Sequence, residues 1–127
     1  MDKADDIFDE MERLIDVTLT QKAYVNVSSG YWKPPTDIYE TSEEIIVFVE
    51  IAGVKKSDIS LTYRKGYLFI SGIRKQLYPE PVTTLHQMEM DTGRFLRKIR
   101  ISIAICEEEI EAEYNDGILK ITLPKRR

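Results

Sequence analysis

Between Arg94 and Ile105 the sequence alternates with a period of two. Phe95, Ile99, Ile101, Ile103 and Ile105 share one parity, and Arg94, Lys98, Arg100 and Ser102 share the other. That is the period of a half-buried β-strand. At about 3.3 Å per residue such a strand runs roughly 35 Å, enough to pair with several partners or to turn a corner between two sheets. Arg97 breaks the pattern because it falls on the apolar parity. An unpaired charge there is costly, so Arg97 is expected at a sheet rim or an interface, beside an acid.

The neighbouring segments repeat the strand texture. Ile45 to Ile51 is apolar on both parities, with Ile45, Val47, Val49 and Ile51 on one and Ile46 and Phe48 on the other, and so is expected between two layers. Gly53 turns the chain, and Ser57 or Asp58 opens the next segment. Ile59, Leu61 and Tyr63 alternate with Ser60 and Thr62, and Arg64-Lys65-Gly66 makes a hairpin turn into Tyr67 to Ile73. After a loop at Cys106 to Glu109, Ile110, Ala112 and Tyr114 alternate with Glu111 and Glu113. Asn115-Asp116-Gly117 then reverses the chain into a last strand, Ile118 to Leu123, which Pro124 stops. Pro34-Pro35 fits only a sheet edge or the approach to a strand. No long helical period follows Tyr31, so the expected fold is all-β, an antiparallel sandwich.

At 127 residues the chain suits one core with arms, and 43% apolar against 31% charged residues is ordinary for a globular domain. The reading divides it into an N-terminal arm (1–30), a domain (31–124) and a truncated C-terminal stub (125–127). No apolar run approaches the ~20 residues of a membrane span, and the acidic start does not match a secretory signal. With one cysteine, Cys106, no internal disulfide can form. A cytoplasmic location is expected.

In the arm, Ile7, Phe8, Met11, Leu14 and Ile15 recur as the apolar stripe of a short amphipathic helix, about residues 4–16. A helix this short is ordered only when its stripe docks, either on this chain's own core or on another protein. Residues 1–16 carry seven acids against two bases, a net −5, which leaves the rest of the chain at 15 acids and 16 bases. Residues 18–30 read as a linker rich in Thr, Ser, Asn and Gly. The near-neutral body gives no electrostatic reason to expect nucleic acid or a membrane as partner. Between two strands, residues 74–92 hold Pro79, Pro81 and a β-prone run from Val82 to Met90. A connection this long is unusual inside a domain, and a strand carried on it can complete a neighbour's sheet and hide its edge.

Ala112, followed after four residues by Gly117-Ile118-Leu119, resembles the A-x-x-x-x-G-V-L signature of the small heat shock proteins, the α-crystallin or Hsp20 family. Three further stretches match in order: Pro34 to Glu40, Ile51 to Ile59, and Gly93-Arg94-Phe95-Leu96-Arg97. Ala52 and Ser102 depart from it, standing where the family usually has proline. The resemblance implies an immunoglobulin-like sandwich of seven to nine strands, the α-crystallin domain, with a strand-exchange loop. It further implies an ATP-independent holdase that binds partly unfolded proteins and suppresses their aggregation. The loop strand, here residues 82–90, would be exchanged in a homodimer whose contacts include Val82, Leu85, His86, Met88, Met90 and Arg97. Client binding would fall on Ile7, Phe8, Met11, Leu14 and Ile15, and a groove would be lined by Ile59, Leu61, Ile110 and Ala112. Family members usually carry a C-terminal I-x-I/V motif that plugs such a groove, whereas this sequence stops at Lys125-Arg126-Arg127. A dimer or small assembly with an open groove is therefore expected, unless the N-terminal arm fills it.

Catalysis finds no support. His86 is the one histidine and has no metal-ligand spacing around it, and Gly53-Val54-Lys55-Lys56-Ser57 lacks the order of a phosphate loop. No cofactor is expected. Glu107 to Glu109 read as a solvated loop, and Cys106 as an idle thiol rather than a crosslink. Met88 and Met90 suit either an adaptable client surface or a subunit contact. A co-chaperone adaptor of the p23 or CS-domain kind is the alternative on the same sandwich. Such proteins generally lack the exchanged strand and often carry an acidic C-terminal tail, and the long loop and basic end here favour the holdase.

Overall fold

The computed structural model describes residues 31–77 and 81–127, and the helix expected at about 4–16 lies outside them. Eight strands are described: β1 (Tyr31–Trp32), β2 (Thr36–Glu40), β3 (Glu44–Glu50), β4 (Ile59–Arg64), β5 (Tyr67–Arg74), β6 (Gly93–Arg100), β7 (Glu111–Asn115) and β8 (Ile118–Pro124). They form two four-stranded sheets, ordered β1-β6-β5-β4 and β2-β3-β8-β7. All pairings are antiparallel except the short β1–β6 pair. Pro34-Pro35 carries the chain from β1 in one sheet to β2 in the other, the strand-approach position that proline tolerates. The expected all-β sandwich is the observed fold.

Both predicted tight turns are two-residue hairpins. Lys65 and Gly66 have φ of 53° and 79°, and Asp116 and Gly117 have 53° and 80°. Positive φ at both central residues is the turn whose twist matches that of the flanking strands. Gly117 is also held by space, since a Cβ there would sit 2.8 Å from the Cα and Cβ of Ala52.

Alternate residues of the two sheets meet in one core. Leu68, Ile70 and Phe95 from one sheet face Val47, Val49 and Ile121 from the other, all fully buried. Trp32 packs on Phe95 with ring centroids 5.4 Å apart. The core-facing positions follow directly from the registers: Leu68↔Ile99, Ile70↔Arg97 and Gly72↔Phe95 point inwards, and the residues between them point out.

Two expectations change. The long alternating stretch is not one strand, for β6 ends at Arg100, paired with Tyr67, the first residue of β5. The ladder stops because its partner strand runs out. The same parity nonetheless stays buried at Ile101 and Ile105, while the chain crosses to the second sheet. There Ile105 bridges Lys125, and the Cys106 N–H donates to the Pro124 carbonyl at 2.8 Å. The stretch thus turns a corner between sheets. Nor is β3 covered on both faces: Ile46 and Phe48 face outwards, half-buried, with Tyr39 edge-on to Phe48 at 5.9 Å. Among the described residues no third layer of strands covers them.

Candidate functional site

Among the described residues, one edge strand of each sheet is left unpaired on the same side, β4 in the first sheet and β7 in the second. Ile59, Leu61 and Tyr63 on β4, with Ile110 before β7 and Tyr114 on it, are half-buried and pack on the core between these edges. Ala112, paired with Ile121 and therefore on the core-facing parity, is exposed. The four predicted groove residues are thus brought to one side of the molecule, between two edges that carry free backbone donors and acceptors.

Tyr63 and Tyr114 close the two ends of this groove, and neither was among the predicted lining residues. The Tyr114 hydroxyl lies 2.7 Å from the Val54 carbonyl oxygen and 2.9 Å from that of Ile51, and its single proton serves both. This ties β7 to the turn that precedes β4. At the other end, burial pushes the Tyr63 hydroxyl pKa up, Glu107 adds to the rise and Arg126 opposes it. The alternation Ile59, Leu61, Tyr63 already contained the signal for the first of these, since a tyrosine continues an apolar parity readily.

On the opposite side, no described strand pairs with the outer edge of β2 in the second sheet. Its Ile38 and Tyr39 are 50% and 55% exposed. Arg97 lies on β6 beneath this side, on the core-facing parity, with Nη1 donating to the Pro34 carbonyl oxygen at 3.4 Å. Its Nε is buried without a hydrogen-bond acceptor, and burial pulls the guanidinium pKa below its ordinary value. The acid expected beside Arg97 is not found among the described residues: the observed contact is a backbone carbonyl, because the strand parity aims the side chain at the Pro34-Pro35 crossover.

Residues 82–90 pair with no strand among the described residues and are exposed throughout. Leu85, Met88 and Met90 are 62%, 54% and 63% exposed, and with Leu77 they border a shallow cavity of about 200 Å³. Val82 and His86 lie on the same exposed stretch. The base of this loop is stapled by Arg74, at its first position. Its Nε donates to the Asp91 carbonyl at 3.0 Å, its Nη1 to the Ala52 carbonyl at 3.1 Å, and its guanidinium lies 4.2 Å from the centroid of a Trp32 ring. The predicted client residues Ile7, Phe8, Met11, Leu14 and Ile15 lie outside the described residues.

The Cys106 thiol pKa is raised by the carboxylate of Glu109, by partial burial and by Glu108, whose Oε2 accepts from Sγ at 3.5 Å. Among the described residues no three His, Cys, Asp or Glu side chains are grouped to hold a metal ion, and no helix is long and apolar enough to cross a membrane.

Known proteins resemble this chain in sequence and fold. Heat shock protein HSP.16.4 of Streptococcus thermophilus is 40% identical over 93 residues, covering 71% of this chain and 64% of that protein. Heat shock protein 16 of Schizosaccharomyces pombe is 34% identical over 102 residues, covering 79% of this chain and 71% of that protein. Among solved structures, heat shock protein 16.0 from S. pombe superposes with a TM-score of 0.66 at 35% identity, over 74% of this chain and 87% of that one. A small heat-shock protein from Xylella fastidiosa gives 0.68 at 28% identity, over 76% and 88%. The profile of the Hsp20/alpha crystallin family matches residues 37–127, and the chain belongs to that family.

Proposed function

We propose that this protein is an ATP-independent holdase, a cytoplasmic chaperone that covers apolar surface on partly unfolded proteins and suppresses their aggregation. The observation that carries the reading is the half-buried apolar groove between β4 and β7, open along two strand edges that no described strand pairs. A partly unfolded chain offers both things such a groove takes, extended backbone and exposed apolar side chains. Binding alone supplies the energy, so no nucleotide is needed.

The working unit is a homodimer, or a small assembly of dimers, in which residues 82–90 of each subunit add to the free β2 edge of the other. Val82, Leu85, Met88 and Met90 are exposed and pair with no described strand of their own sheets, and β2 presents Ile38 and Tyr39 on the receiving edge. Each half-exposed apolar side chain contributes on the order of 1 kcal/mol when covered, and each ladder hydrogen bond a further ~1 kcal/mol. Two exchanged arms therefore offset an association cost of several kcal/mol. Arg97, with one donor left over beneath this side, gains an acceptor from the arriving chain.

The test is a light-scattering assay of a heat-aggregating client without ATP. Suppression near one subunit per client supports the reading, and aggregation at the control rate in molar excess of the protein defeats it.

A further inference from the structure

The registers sort the outward-facing side chains of the two sheets, and the two faces carry opposite charge. On the β1-β6-β5-β4 sheet the outer residues include Arg64, Arg94, Lys98 and Arg100 and no carboxylate. On the β2-β3-β8-β7 sheet they include Asp37, Glu44, Glu50, Glu111 and Glu113 against Lys120 alone. The basic face also carries a compact apolar strip. Phe69 and Leu96 form a second, small core there, with Tyr31 and Tyr67 packed against it. They keep only 5% and 1% of their surface exposed, although no described strand stacks on that face.

We propose that the N-terminal segment, residues 1–16, docks on this basic outer face of its own subunit and so keeps its apolar stripe from clients until it is released. Three observations select this occupant. The segment pairs an apolar stripe with a net charge of −5, the complement of an apolar strip rimmed by four cations. The acidic outer face of the other sheet repels it. Finally, the tether enters the domain at Tyr31, which belongs to the basic face and packs on its small core.

Reach does not limit the contact. Thirteen residues, the number from 18 to 30, span about 20 Å root-mean-square as a random coil, and four strands at about 4.8 Å spacing are roughly 15 Å across. Such a tether holds the segment at millimolar effective concentration, so weak complementarity suffices and a second copy of the chain competes poorly.

The docking stands or falls apart from the holdase reading, but its regulatory meaning rests on that reading. Full-length protein carrying p-benzoylphenylalanine in place of Phe8 is irradiated in a mixture of isotopically light and heavy chains. Crosslinks within one chain to peptides of β5 and β6 support the proposal. Crosslinks to β4 or β7 groove residues, to the acidic face, or only between light and heavy chains overturn it. The exposed pair Arg94→Glu with Arg100→Glu should lower the intrachain yield about tenfold, and adding Asp5→Lys with Asp9→Lys should restore it. An unchanged yield in the first variant also overturns the proposal, and an unchanged thermal unfolding midpoint shows that the variant is folded. If yield falls while client suppression stays the same, docking is upheld and the client role of the segment is lost.

Discussion

At Gly72 an added Cβ would lie 2.3 Å from the Asp58 carbonyl oxygen and 2.7 Å from Cζ of Phe95. Neither neighbour can yield, because one is backbone and the other is fully buried. Gly72→Ala should therefore destabilise the domain by about 1–3 kcal/mol, read as a lower urea midpoint with unchanged slope. No periodicity marks this glycine: it sits on an inward parity, and its need for space appears only when β4 and β6 close on either side of it. Arg97 was legible as a misfit, since parity alone exposed it, but its Pro34 contact depends on a crossover 63 positions away. Cys106 gives a prediction about pH. With its thiol pKa raised, first by Glu109 and then by burial and Glu108, the thiolate is scarce at pH 8 and alkylation is slow. Glu109→Gln with Glu108→Gln lowers that pKa, so iodoacetamide should react faster at pH 8 and at an unchanged rate well above the thiol pKa. An equal rate at pH 8 would separate the thiol from both acids.

Among the elements, hairpins were the most legible and strand ends the least. Lys65-Gly66 and Asp116-Gly117 announce themselves because few residues accept positive φ. The end of β6 does not, because the apolar parity that buries Ile99 continues through Ile101 to Ile105 across the corner between sheets. Alternation reports which side chains face the core and is silent about which backbone partner is present. For the same reason the sequence suggested a long loop but not the free edges on β2, β4 and β7, which depend on strand order. Exchange at β2 makes a sharp prediction. Met88→Asp places a charge on the exposed arm and Ile38→Asp one on the receiving edge, and neither removes a fully buried group. Either should shift the protein towards monomer in sedimentation equilibrium while the unfolding midpoint of the subunit stays within a few degrees. Arg97→Ala, which removes the leftover Nε donor, should raise the dimer dissociation constant about tenfold or more. An undisturbed dimer in all three would remove both this loop and Arg97 from the subunit contact.

For the whole molecule, the charge balance of the body conceals its most consequential feature. Fifteen acids and sixteen bases outside the first 16 residues sum to almost nothing, yet the sheet registers collect the cations on one outer face and the carboxylates on the other. Composition averages over faces that only pairing can separate. Two opposite perturbations of the N-terminal segment then distinguish what it does from where it rests. Among the described residues the main core is formed by the facing sides of the two sheets, so removing residues 1–16 should preserve the strand signal in circular dichroism. It should nevertheless weaken suppression of client aggregation, because the stripe of Ile7, Phe8, Met11, Leu14 and Ile15 is gone. Reversing Arg94 and Arg100 to glutamate keeps that stripe and frees it, so suppression should begin at a lower temperature or at a lower protein concentration. A segment that served merely to cover the body's own apolar strip would give one sign for both changes: more exposed surface and stronger client capture in each. Opposite signs require that the same residues be both the cover for the basic face and the surface offered to clients, and equal signs would reduce the segment to a cover.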